Sequence, residues 1–273
     1  MQETSAEYKA LLSEDHIVET RLVLGESGLL VTGDDEAIVF GTGGNATRIL
    51  VEQGGAEDGF TESVIFNLKT YRKLFPGNTP SVGNAISGEI EVDMLNPMGS
   101  IPRMAQMIPY IRLSSLDRTR HSEWIKKGVF FIDTREVSHN KDDLNVLTLH
   151  GYDALAKAQA DYPSSKLTWP AVHENVVKEI AAAMGVEVDE RSIPIFRSVS
   201  PRYRIGSIPI GYSMCEVLGY IAASYGGNFI ITDLGKLRLV TLSELPKETR
   251  YLVTETGYAI VFGTEDGGDR ILV

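Results

Sequence analysis

The sequence predicts an α+β protein dominated by antiparallel β-structure. Three observations carry this. Through the first 150 residues, short runs alternate apolar and polar positions, the period of a half-buried strand. Beyond about residue 173 the period becomes helical, and glycine closes each helix. One element, strand, Gly-rich turn, strand, also occurs twice: residues 36–51 read EAIVFGTGGNATRILV and residues 258–273 read YAIVFGTEDGGDRILV, identical at ten of sixteen positions.

Residues 3–13 read as a short helix with Tyr8, Leu11 and Leu12 on one side, and residues 17–24, IVETRLVL, alternate as a strand. The first copy of the repeat follows. Its Gly41-Thr42-Gly43-Gly44-Asn45-Ala46 matches G-x-G-x-x-A, which in a dinucleotide site needs a helix directly afterwards to receive the pyrophosphate. Here Thr47-Arg48-Ile49-Leu50-Val51 reads as a second strand, and Gly54-Gly55 would stop a helix. The second copy loses the glycine spacing and keeps both flanking strands. The element is therefore read as a β-hairpin that holds no cofactor.

A polar stretch, EQGGAEDG, leads to a strand in FTESVIFNLKT. PGNTPSVGNAISGEIEVDML carries turn residues up to Asn84 and then alternates through Ile86, Ile90, Val92 and Met94. MAQMIPYIRLSS and KKGVFFIDTREVS supply further strands. NVLTLHGYDAL sets Val146, Thr148 and His150 against Leu147 and Leu149 before a short helix over 153–159. This half fits a barrel or a sandwich.

HENVVKEIAAAMG spaces Val176, Val177, Ile180 and Met184 helically, with Gly185 placed for a left-handed cap. VEVD reads as a short strand, and 191–211, rich in proline and arginine, as an extended linker or edge segment. A second helix runs over about 212–225 with Met214, Val217, Leu218 and Ile221 inward and Gly226-Gly227 ending it. NFIITDLGKLRLVTL makes a hairpin about Asp233 to Lys236.

Length and composition (273 residues, 43% hydrophobic, 23% charged) are those of a globular protein with one large or two ordinary domains. A net charge of −11 argues against a nucleic-acid grip, which needs a basic face. Cys215 alone excludes an internal disulfide and, within an apolar-periodic run, reads as structural. The polar N-terminus and the lack of an 18-residue apolar run predict folding in the cytoplasm without membrane insertion. The closing Arg270-Ile271-Leu272-Val273 reads as a strand, suggesting a longer parent or a strand completed by another subunit.

Residues with catalytic potential do not cluster. His16, His121, His139, His150 and His173 show no ligand spacing, there is no Cys-x-x-Cys, and neither G-x-S-x-G nor a P-loop occurs. His150 reads as structural and His139 as part of a solvated turn. Most carboxylates fall in turns: Asp34-Asp35-Glu36, Glu57-Asp58, Asp142-Asp143, Glu265-Asp266. Asp133 and Asp153 lie within or beside apolar strands, with helix capping the simplest role for Asp153. The sequon Asn45-Ala46-Thr47 lacks a secretory route, and Trp124 and Trp169 make no sugar-stacking cluster. No catalytic, cofactor-binding or metal-binding residue is expected, and no enzyme.

In TPSVGNAISGEIEVDML, IPRMAQMIPYIRL, WIKKGVFFIDTRE and LTLHGYDALAKA, and again in SMCEVLGYIAASYGGNFIITDLGKLRLV, the chain resembles the N-terminal part of bacteriophage tail hub proteins, the baseplate hub and tail-associated proteins of the tail tip. The resemblance spans roughly residues 5–245. It implies a β-rich, tube-like barrel domain, and the expected division is that domain over 1–150, a smaller α+β domain over 151–245, and, read from the repeat itself, a hairpin insertion at about 33–55 and a C-terminal hairpin repeat over 246–273. It further implies a trimeric ring that continues the tail tube, binds other tube and baseplate proteins, and lets DNA pass without specific binding. The location implied is the bacterial cytoplasm during assembly, then the virion tail or a phage-like particle. The family often carries an endopeptidase, lysozyme-like or receptor-binding region further on, so a tail-associated cell-wall hydrolase and a receptor- or carbohydrate-binding module stand as alternatives. The duplicated hairpin departs from the family pattern. Three copies would carry −33, three times −11, so acidic side chains are expected to outnumber basic ones on a lumen that repels phosphate. The structure of an assembled ring checks this, and a basic lumen overturns it.

Overall fold

Successive side chains of a strand point to opposite faces, so alternating strands can bury one face and leave the other wet. The computed structural model describes residues 4–25, 39–40, 47–48, 59–95, 105–139, 145–199, 201–242, 261–262 and 269–270. The chain divides into two units, Met1–Val240 and Thr241–Val273.

The first unit opens with α1 (Ala6–Leu12), whose Tyr8 N–H donates to the Ser5 hydroxyl at 3.0 Å, followed by β1 (His16–Gly25). Of the expected apolar side of α1, Leu11 is buried and Leu12 is exposed. The first copy of the repeat pairs β2 (Val39–Phe40) with β3 (Thr47–Arg48). A strand, not a helix, thus begins at Thr47, as the hairpin reading requires. The chain continues through β4 (Phe60–Thr61), β5 (Ile65–Tyr71), β6 (Asn84–Ala85), β7 (Glu89–Leu95), β8 (Gln106–Ser115), β9 (Ile125–Lys126), β10 (Phe130–His139) and β11 (Asn145–Asp153).

All of these but β2, β3 and β6 form one sheet, ordered β4-β1-β8-β10-β11-β7-β5, with β9 also on β8. β1 matches β8 from His16–Ser115 to Gly25–Gln106. Pro109, with no N–H to give, lies where the second neighbour of β8 changes from β10 at Met107 to β9 at Tyr110. The single strand expected in FTESVIFNLKT is two strands, at opposite ends of this order. Only residues 62–64 separate them, and so short a link spans no more than about 14 Å. The sheet must therefore roll until its ends meet. No ladder pairs β4 with β5 among the described residues, so the roll is open at that seam. Its interior is filled by Leu22, Ile65, Val92, Met107, Phe130 and Leu149, contributed from across the whole order.

A second core follows, built on β12 (Ala171–Val172), α2 (His173–Met184), α3 (Ile193–Arg197), β13 (Arg204–Ile205), α4 (Met214–Ser224), β14 (Gly227–Ile231) and β15 (Leu237–Thr241). Val176, Ile180, Leu218, Ile221 and Phe229 are fully or almost fully buried in it. Gly185 caps α2 at φ +75°, and α4 opens on a capping box of Ser213 and Glu216. Two readings need correction. Among the described residues of 191–211, strand forms only at β13, and helix replaces an extended chain over 193–197. Pro194 sits in the first turn of α3, where its missing N–H costs nothing, and Ile195 and Phe196 turn inward. VEVD makes a single parallel bridge, Val188 to Leu237.

β6 leaves the rolled sheet to run parallel to β14, giving a three-stranded order β15-β14-β6. There α4 crosses Gly83 so closely that a Cβ on Gly219 would lie 2.7 Å from the Gly83 carbonyl oxygen. In the second unit, β16 (Val261–Phe262) pairs with β17 (Asp269–Arg270), Val261 opposite Arg270. Val39 lies opposite Arg48 in the first hairpin, so the two repeats share one register. Their glycine turns lie outside the described residues.

Gly151 lines the rolled interior, and a Cβ on it would lie 2.4 Å from the Phe131 carbonyl oxygen and 2.5 Å from Met107 Cε. Gly151→Ala is expected to destabilise the protein by about 1–3 kcal/mol, as overpacking does. Gly77→Ala, with no heavy atom within 4 Å, should stay within about 0.5 kcal/mol. Equilibrium chemical denaturation of the two variants checks the contrast.

Candidate functional site

The arrangement closest to a catalytic constellation lies on β1 and β8. Glu19 faces Arg112 across the ladder and is gripped by its guanidinium, with Nε and Nη2 each at 2.6 Å. The Ser114 hydroxyl is 2.6 Å from His121 Nδ1, and Glu19 lies 3.8 Å from the same nitrogen. Burial works to raise the Glu19 carboxyl, but hydrogen bonds from Ser114 and Arg112 outweigh it and hold the group below its ordinary range. A serine–histidine–acid relay needs one ring nitrogen for the serine and the other for the acid. Here both converge on Nδ1, and Ser114 is 0% exposed, so no substrate can reach it. The cluster ties two strands together.

The residues singled out from sequence are scattered. Asp133 is exposed and is the extra residue of a β-bulge, where the register slips between Ile132–Gly151 and Thr134–His150. Asp153 is 2% exposed and caps as expected. It accepts from the Leu155 N–H at 2.9 Å, the Gly88 N–H at 2.7 Å and the Ser87 hydroxyl at 2.9 Å. His16 hydrogen-bonds the Glu14 carbonyl, His150 packs edge-on to Tyr152, and His173 is buried at the start of α2 against Tyr203 and Tyr225. His139 closes β10. The Cys215 thiol is half-buried, donates to the Ala85 carbonyl at 3.5 Å and is raised by burial. The guanidinium groups of Arg21 and Arg112 lie over the Trp124 ring at 4.6 and 4.5 Å, which leaves it poorly placed to stack a sugar. Trp169 packs against the second core. The acidic pairs at 34–36, 57–58, 142–143 and 265–266, and Asn45 of the sequon, lie outside the described residues. Among the described residues no group of His, Cys, Asp or Glu is placed to hold a metal ion, and no helix is long and apolar enough to cross a membrane.

Two features had no signal in the linear sequence. Glu174, 4% exposed, binds Arg197 through Nε at 3.0 Å and Nη2 at 2.8 Å and Lys178 at 2.8 Å, locking α2 to α3. The outer side of α4 carries Tyr220, 63% exposed, between two clefts. One, of about 450 Å³, is lined by Ile208, Ile210 and Tyr212; the other, of about 550 Å³, by Val82, Ile86 and Ala223. Ile210 is 84% exposed.

No protein-family model matches the sequence, and no curated protein matches it. Among solved structures, the chain is similar to the 43 kDa tail protein of prophage MuSo2 from Shewanella oneidensis. The TM-score is 0.46 at 14% identity, over 87% of this chain and 59% of that one. It is also similar to a chain of the Francisella PdpA–VgrG complex, with a TM-score of 0.43 at 8% identity, over 84% of this chain and 32% of that one. The chain thus spans about three fifths of the first and one third of the second.

Asp153 and Glu174 are equally buried carboxylates with opposite shifts. Burial raises Asp153 to about 6, whereas hydrogen bonding to Arg197 holds Glu174 down at about 2. The Asp153 contribution to stability is therefore full below about pH 4 and lost as pH rises through 6; that of Glu174 is present above about pH 4.3 and lost as pH falls toward 2. A carboxyl-carbon NMR titration should show these two midpoints on either side of those of the exposed acids.

Proposed function

We propose that this chain is a structural module of a phage or phage-derived tail tip, a hub component that assembles as a homotrimer, continues the tail tube and attaches other baseplate proteins, with no turnover of its own. The observation that carries the reading is the placement of the tail-hub-like stretches. They are not scattered over the fold. They run consecutively from β6 through β11 and again from α4 through β15, forming the framework on which the rest is hung. The interior of the rolled sheet is packed with apolar side chains, so a DNA passage in this reading lies between subunits. Two hairpins of one register and the apolar side of α4 offer places where further chains can join.

Sedimentation at high concentration tests assembly. A species of three times the 30.0 kDa chain, seen as open-centred rings in negative stain, is expected. Products released from a muropeptide digest would overturn the non-enzymatic reading.

A further inference from the structure

A cleft of about 690 Å³ opens beside β14 and β15, lined by Arg72, Asp189, Arg191, Asp233, Lys236 and Arg238 among others. Four cations meet here. Three are matched: Arg72 pairs with Asp233, Lys236 with Glu187 at 2.8 Å, and Arg191 with Asp189 through Nη2 at 2.5 Å and Nε at 2.8 Å. Asp189 also accepts the Arg191 backbone N–H at 3.0 Å, so its oxygens are committed within its own turn.

Arg238 is the exception. Its neighbours Leu237 and Leu239 are buried in the core, so strand alternation turns Arg238 to the opposite face, toward the cleft. Its Nε is out of contact with water and has no hydrogen-bond partner. Burial, then the neighbouring Arg191, pull its basicity down, and Asp189 offsets only part of this. A guanidinium does not respond by giving up its proton at neutral pH. A guanidinium at the wall of an open cleft with no carboxylate bound to it gains a countercharge when an anion enters.

We propose that this cleft binds a phosphate group, held by the planar fork of Arg238, with the source either free phosphate or a small phosphate ester. The matched pairs around it narrow the choice. Arg191 and Lys236 are already engaged by Asp189 and Glu187, and Glu190 also lines the cleft, so the fork of Arg238 is the contact left for the anion, and its planar geometry suits two oxygens of one phosphate. The apolar wall of Ile230 and Leu234 leaves room for the ester's organic part.

The test is titration of the full chain with inorganic phosphate and with phenyl phosphate at constant ionic strength, set by chloride, read by calorimetry and by the arginine Nε–H signals in nitrogen-15 NMR. Saturable binding is expected to shift the Arg238 signal. Arg238→Gln should weaken binding by at least about tenfold, as loss of a charge-assisted bidentate contact does, with Arg238→Lys intermediate. Lys236→Gln, which removes a matched cation, should change affinity by less than about threefold. Binding of both probes, or of one alone, identifies the source. An Arg238 signal that does not respond to either probe overturns the proposal, as does a folded Arg238→Gln protein that binds like the unaltered chain, or phosphate acting no more strongly than chloride. Should the Gln variant fail to fold, the Lys variant and the Arg238 signal decide.

Discussion

Everything beyond the rolled sheet depends on how Asp153 ends it. This residue closes β11 opposite Phe130 in the first core, and two residues later Leu155 is buried in the second. Its carboxylate collects the Ser87 hydroxyl and the Gly88 N–H from the entry to β7 and the Leu155 N–H from the first turn of a 3-10 helix, while its own N–H donates to the Gly88 carbonyl. One side chain thus fixes a sheet corner and the direction of the departing chain. A Cβ on Gly88 would lie 2.9 Å from the same carboxylate, so the approach is already as tight as it can be.

The same logic of short polar clamps between apolar bodies recurs. Glu174 holds α3 to α2, Glu19 holds β8 to β1 through Arg112, and Arg72 joins the end of β5 to the β14–β15 turn through Asp233 and to the residue after β9 through the Lys127 carbonyl. Each clamp joins segments distant in the chain. In these three places charge holds elements together.

The long strands and both principal helices were legible because burial imposes a period. β7 and β11 bury every second residue, α2 buries Val176, Val177, Ile180 and Met184 at helical spacing, and α4 does the same with Met214, Val217, Leu218 and Ile221. The hairpins were legible because strands flank the glycines on both sides in both copies. The division of 60–70 into two strands was not, since it comes from the roll of the whole sheet. α3 was masked by Pro194, which reads as a breaker until its place in the first turn is known. The cleft around Arg238 draws on residues near 72, 189 and 238, and no spacing rule connects positions so far apart. Glu174 likewise looked like one more acid of a first helical turn.

Finally, consider the crossing of α4 over β6. Gly219 and Gly83 meet backbone to backbone, with nothing interposed that could be trimmed or enlarged. The helix consequently has no slack against the strand beneath it. Tyr220, the next residue along, is carried outward by a helix seated on main-chain contact here and on the Ala223 methyl one turn on.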